Sequence, residues 1–215
     1  MKFQSFVFAA ILATSMAVPL TAQDSPCRWW QLHCSNDQVD GLPDDAPRTG
    51  TVITVDISTN TLYLFQDGQQ VVKTPVATGK GTILKKGNKV WAFHTPRGHM
   101  KVLRKLVDPV WRKPDWAFIE DGDPVPAPDS PKRYVKGHLG KYALDLGDGI
   151  LIHGTDDVDS IGHKVSHGCV RLPDDALEKV YNSAKVGTDV YIFESAPVQE
   201  STTEIHSDLD IGRRK

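Results

Sequence analysis

Between residues 51 and 193 the chain is cut into short β-branched and aromatic runs, most of them closed by glycine, proline, Asp-Gly or a Ser-Thr-Asn turn. Runs of that kind are too short for helices and suit the half-buried surface of a sheet. Thr51–Val55 and Thr61–Phe65 flank the turn-like Ser58, Thr59 and Asn60. Asp67-Gly68 then precedes Val71-Val72, a two-residue hairpin signal, because both turn positions require positive φ. Gly79, Gly81 and Gly87 punctuate a loop before Val90–Phe93, and later runs are Tyr142–Leu146, Ile150–Ile152 and Val190–Phe193. One stretch reads as helix: Pro173, Asp174 and Asp175 start it, and Leu177, Val180, Tyr181 and Ala184 recur at helical spacing. The domain is therefore expected to be mainly β, a sandwich or partial barrel. From Gly98 to Lys141 runs a segment with Trp111, Trp116 and a proline run, Pro124, Pro126, Pro128 and Pro131, expected to be an irregular lid.

Late in that domain chemistry concentrates. Ser166-His167-Gly168-Cys169-Val170-Arg171 places a cysteine behind a glycine and near a histidine, and His153 ends the apolar run Ile150–Ile152 upstream. A thiol is a nucleophile as thiolate, and an imidazole can take its proton. Glycine beside the nucleophile leaves backbone N–H groups open to a substrate oxygen. These residues together predict a cysteine acyl-transfer site, with oxyanion donors at Gly168 and Cys169. The helix starting just after Cys169 predicts a lowered thiol pKa through its dipole. A zinc reading competes, since His163, His167 and Cys169 are ligand types, but no paired cysteines accompany them. A buried structural cysteine is the plainer alternative.

The heptad resembles the signature of the L,D-transpeptidase catalytic domain of enzymes that remodel peptidoglycan. His153, Ser166, His167, Gly168, Cys169, Val170 and Arg171 follow the family's order, and the looser likeness covers about residues 50–193. It includes Val52–Asp56 and Thr95-Pro96-Arg97-Gly98, where relatives often carry Thr-Pro-Thr-Gly. The resemblance implies a β-sandwich-like domain with the cysteine under a capping loop and no cofactor or metal. Cys169 would attack a stem tetrapeptide, release D-alanine and form a thioester. An amine from a second stem or a lipoprotein lysine would resolve it, whereas water would make the enzyme a carboxypeptidase. A non-catalytic wall-binding module is the remaining alternative. The family pattern assigns the proton shuttle to His153 and leaves His167 to shape the oxyanion side, although residue order alone would also allow the reverse. Arg171 suits a stem carboxylate, and Trp111 and Trp116 a donor groove.

The ends carry other information. Lys2, the apolar run Phe6–Ala13 and small residues around Ala17 and Ala22 predict a signal peptide over residues 1–22 and hence a periplasmic or wall-associated protein. In an oxidising compartment Cys27 and Cys34 would pair, within an exported segment over 23–49, leaving Cys169 as the reactive thiol. Residues 35–50 read as a polar, proline-bearing linker, and 194–215 as a disordered tail. With 25 basic against 27 acidic residues there is no electrostatic case for a nucleic-acid partner. Oligomeric state is not legible.

Overall fold

Two-residue alternation builds the largest sheet. In β1 (Thr51–Asp56) and β2 (Thr61–Gln66), Ile53, Val55, Leu62 and Leu64 face the main core, while Val52, Tyr63 and Phe65 face the opposite side. The computed structural model describes residues 40–195, so the expected signal peptide, the Cys27–Cys34 pair and the tail beyond Ser195 lie outside the described residues. Asp67 and Gly68 both take positive φ, 48° and 77°, and turn the chain from β2 into β3 (Gln69–Pro75) as the Asp-Gly pair requires.

Short strands follow: β4 (Thr78–Gly79), β5 (Ile83–Lys86), β6 (Lys89–Ala92), β7 (Gly98–Lys101), β8 (Arg104–Val107) and β9 (Val110–Arg112). Helix α1 (Asp115–Glu120) and β10 (Tyr134–Lys136) lead to β11 (Tyr142–Gly147), β12 (Ile150–His153), β13 (Lys164–Ser166) and β14 (Val170–Arg171). Helix α2 (Asp174–Ser183) and β15 (Asp189–Phe193) close the domain. A five-stranded sheet, β3-β2-β1-β15-β7, and a four-stranded sheet, β14-β12-β11-β8, supply most of one core. Leu144 and Ile152 from the second sheet meet Ile53 and Leu64 from the first there, and α2 adds Leu177 and Val180. This is a β-sandwich with few helices, as expected from the spacing of the runs.

The structure departs from the sequence reading at two places. Residues 40–48, read as linker, lay Leu42 and Ala46 on the outer face of β1 and β2 beside Tyr63 and Phe65. Thr54 Oγ1 donates to Gly41 C=O at 2.5 Å, and a Cβ at Gly41 would lie 2.5 Å from the Tyr63 ring. Close approach there admits only glycine. The segment 98–141 is also less irregular than expected. Its start joins both sheets through β7 and β8, and only the stretch from β9 to β10 forms a cap, closed by β9–β10 pairing. Inside the cap Arg133, 6% exposed, donates to the carbonyls of Lys113, Pro126 and Ala127 and to Asp115. Prolines contribute no N–H, so one buried guanidinium supplies the donors that this stretch lacks.

Candidate active site

Parallel pairing of β12 with β14 sets the site. Ile152 aligns with Val170 and His153 with Arg171, and the Leu172 N–H donates to His153 C=O at 2.8 Å. Side chains alternate along a strand, so Ile152 and Val170 enter the core while Leu151, His153, Cys169 and Arg171 line a cleft of about 720 Å³. Trp111, Trp116 and Glu120 from the cap form its other wall.

His153 is 3% exposed, and its Nδ1 lies 2.5 Å from Gly154 C=O. A carbonyl accepts only, so Nδ1 carries the proton and Nε2 keeps a free lone pair. Burial lowers the imidazole pKa to about 4, against the raising effect of the Gly154 bond. Cys169 is half-buried, and its thiol contacts Gly149 C=O at 3.5 Å. Desolvation of the sulfur raises its pKa, and the Leu151 N–H and Arg171 only partly oppose this. The dipole expectation is therefore reversed. Between Cys169 and α2 lie β14, Leu172 and Pro173, and the dipole effect fades within one turn of the helix end. At rest the cleft holds a neutral thiol and a neutral imidazole.

His167 turns towards the cap. Its Nε2 is 2.6 Å from Glu120 Oε2 and 3.1 Å from Lys80 Nζ, and the ring stacks on Trp116 with centroids 3.9 Å apart. Glu120 also pairs with Lys80 at 2.7 Å. Burial lowers the His167 pKa, while the Glu120 bond opposes it. On the other side of the cap Trp111 packs on His138, centroids 4.5 Å apart, and His138 Nδ1 meets Asp156 at 3.0 Å. Arg171 lines the cleft and lies 3.6 Å from Asp157, a loose pair.

The turn holding the cysteine is tightly bonded. Ser166 Oγ donates to Cys169 C=O at 2.5 Å and accepts from the Gly168 N–H at 3.1 Å. Gly168 N–H, expected as an oxyanion donor, is thus engaged inside the turn, whereas among the described residues the Cys169 N–H has no hydrogen-bond partner. Thr95 joins the turn from a distant loop: its hydroxyl accepts from Gly79 N–H at 2.8 Å and donates to Gly168 C=O at 2.9 Å. Arg97, two residues on, points away and pairs with Glu194 at 2.9 Å on the surface. His163 takes part through its backbone, with Thr78 N–H donating to its carbonyl, and among the described residues no three His, Cys, Asp or Glu side chains gather as a metal site.

Glu120 and His138 escaped the sequence reading. Glu120 sits on a six-residue helix, too short to show periodicity, though Pro114-Asp115 is a start signal for it. His138 reaches the cleft only because β9 and β10 close the cap, and no local signal announces that.

The L,D-transpeptidase catalytic domain family model (YkuD) matches residues 50–192. The Escherichia coli (strain K12) protein named "Probable L,D-transpeptidase YbiS" is 35% identical over 124 residues, covering 51% of this chain and 38% of that protein. "Probable L,D-transpeptidase ErfK/SrfK" of Salmonella typhimurium is 29% identical over 188 residues, covering 80% of this chain and 54% of that protein. This chain thus spans about half or less of the length of these relatives. The crystal structure of the L,D-transpeptidase (residues 123–326) from Xylanimonas cellulosilytica superposes with a TM-score of 0.51 at 21% identity, covering 70% of this chain and 62% of that one, a likeness of fold. With its β-sandwich, its cleft at the β12–β14 junction and a match over more than half its length, the chain belongs to the L,D-transpeptidase catalytic-domain family.

Proposed function

We propose that this protein is a peptidoglycan L,D-transpeptidase whose nucleophile is Cys169 and whose proton shuttle is His153. The observation that carries the reading is that His153, at the end of β12, and Cys169, just before β14, line one cleft on the same face of the paired strands. Cys169 attacks the amide carbonyl before the terminal D-alanine of a stem tetrapeptide as its proton passes to His153 Nε2. The C–N bond then breaks, His153 protonates the departing D-alanine amine, and a thioester remains. An amine attacks the thioester, gives a proton to His153 and forms the new amide, and the thiol is restored.

The neutral resting pair suits this route. A standing thiolate–imidazolium pair would have to be held desolvated, whereas here charge develops only as the sulfur attacks. Arg171 keeps donor capacity beyond its loose Asp157 pair and faces the cleft, where it can take a stem carboxylate. Trp111 and Trp116 form an aromatic wall that excludes water from the acyl-enzyme, which favours transfer to an amine over hydrolysis. The acceptor is a second stem or a lipoprotein lysine, and export through residues 1–22 brings the enzyme to the periplasm or wall.

Intact mass after incubation with a tetrapeptide stem, with and without an amine acceptor, tests the reading. The expected result is a Cys169-linked tripeptide adduct that converts to an acceptor conjugate. Tripeptide alone at every acceptor concentration would make the enzyme a carboxypeptidase, and absence of any adduct would sink the proposal.

A further inference from the structure

We propose that Thr95 is a positioning residue that aims the Cys169 N–H as the oxyanion donor, an inference that rests on the acyl-transfer reading of Cys169. The argument begins with the Gly168–Cys169 peptide. Among the described residues no peptide bond is cis, so the Gly168 C=O and the Cys169 N–H point in opposite directions within one plane. Fixing the carbonyl therefore fixes the N–H. The Thr95 hydroxyl, in a residue 4% exposed that does not line the cleft, donates to that carbonyl at 2.9 Å. The Cys169 N–H therefore points away from Thr95, and since Cys169 lines the cleft we infer that it points towards an attacked carbonyl oxygen there.

Three features make Thr95 a firm anchor. Its hydroxyl is itself held, because it also accepts from Gly79 N–H at 2.8 Å, which narrows the directions in which it can donate. Its backbone is restricted by Pro96, which confines the preceding residue to extended conformations. The neighbouring backbone is packed against both glycines. A Cβ at Gly79 would lie 2.5 Å from Thr95 N, and one at Gly168, whose φ is +124°, would lie 3.1 Å from His94 C=O. Both sites admit glycine, and the closeness leaves no room for the Gly168 peptide to rotate freely. The other donor in the turn, Gly168 N–H, is engaged by Ser166, so orientation of the single Cys169 N–H matters more than it would in a two-donor hole.

The role predicts a split between two reactions of one sulfur. Acetylation of Cys169 by p-nitrophenyl acetate passes through a tetrahedral oxyanion and expels p-nitrophenolate. Alkylation by iodoacetamide displaces iodide and forms no oxyanion. Rates at Cys169 are read by mass spectrometry of the mapped peptide, with Cys169→Ala as the background. In Thr95→Val the ratio of acetylation to alkylation should fall about 10- to 100-fold, the scale set by loss or misplacement of one donor. Thr95→Ser, which keeps the hydroxyl, should stay within about 3-fold of the unaltered protein by the same reasoning. If Thr95→Val does not fold, judged by its thermal melt, the ratio is read on Thr95→Ala. An unchanged ratio, or equal loss of both rates, would overturn the proposal, since a merely structural bond would alter the two together. Neither reagent is a stem peptide. A lowered ratio in a protein that forms no adduct with tetrapeptide would therefore remove the peptidoglycan reading and keep the role of Thr95.

Discussion

Acidification from pH 7 to pH 4 should remove about 3 kcal/mol of stability through His153 alone. In the folded protein this imidazole is buried and neutral, with a pKa lowered from 6.5 to about 4, and burial is the largest cause. Above pH 6.5 neither the folded nor the unfolded chain binds a proton there, so the full contribution is present. As pH falls from 6.5 towards 4 the unfolded chain takes up a proton that the folded chain refuses, and stability drops. Below 4 both are protonated and the loss is complete. Each pH unit in that window is worth at most about 1.4 kcal/mol, hence about 3 kcal/mol in all. That is a large share of the roughly 5–15 kcal/mol that holds a domain together. Urea unfolding at pH 7, 6, 5 and 4, on the unaltered protein and on His153→Gln, isolates the effect, because all other titrating groups are common to both. The difference between the two proteins should shrink by about 3 kcal/mol across the window. A pH-independent difference, or one that grows on acidification, would refute the reasoning, the latter because it would mean an imidazolium stabilised by a thiolate.

Cys169→Ala and Cys169→Ser should abolish turnover while leaving the thermal melt intact. Alkylation of Cys169 should keep accelerating above the ordinary thiol pKa of 9.0, and a plateau reached below pH 8 would contradict the burial of its sulfur. Arg133→Met strands the carbonyls of Lys113, Pro126 and Ala127 and the Asp115 carboxylate, so the cap should loosen by about 3–5 kcal/mol. Limited proteolysis would show this as faster cleavage between Glu120 and Lys132. Trp111→Ala removes contacts with Trp116 and His138 in the cleft wall and should raise KM for the stem about 10-fold, or about 1.4 kcal/mol, with kcat changed less.

Features that depend on near neighbours in the chain were legible. Strands β1, β2 and β15 follow from β-branched runs, the β2–β3 turn from Asp67-Gly68, and α2 from the spacing of Leu177 and Val180. The cluster Ser166-His167-Gly168-Cys169 stood out for the same reason, being contiguous, whereas the cleft it shares with His153 depends on the pairing of β12 with β14. Helix α1 was not, because six residues give periodicity nothing to repeat over. Nor was the docking of residues 40–48, where Leu42 and Ala46 are too sparse to stand out against polar neighbours.

Tertiary structure decided the electrostatics and the partners. Sequence alone predicted a thiol lowered by a helix dipole, whereas desolvation of the sulfur in the folded chain raises it. His167 looks equivalent to His153 on paper, yet the cap supplies Glu120, from 47 positions away, to hold it. Thr95 meets Gly168 across 73 residues. Residue types and local turn chemistry determine which groups can react and which strands form. Burial and long-range contact determine their protonation and aim, because both depend on what distant segments the closed sandwich brings against them.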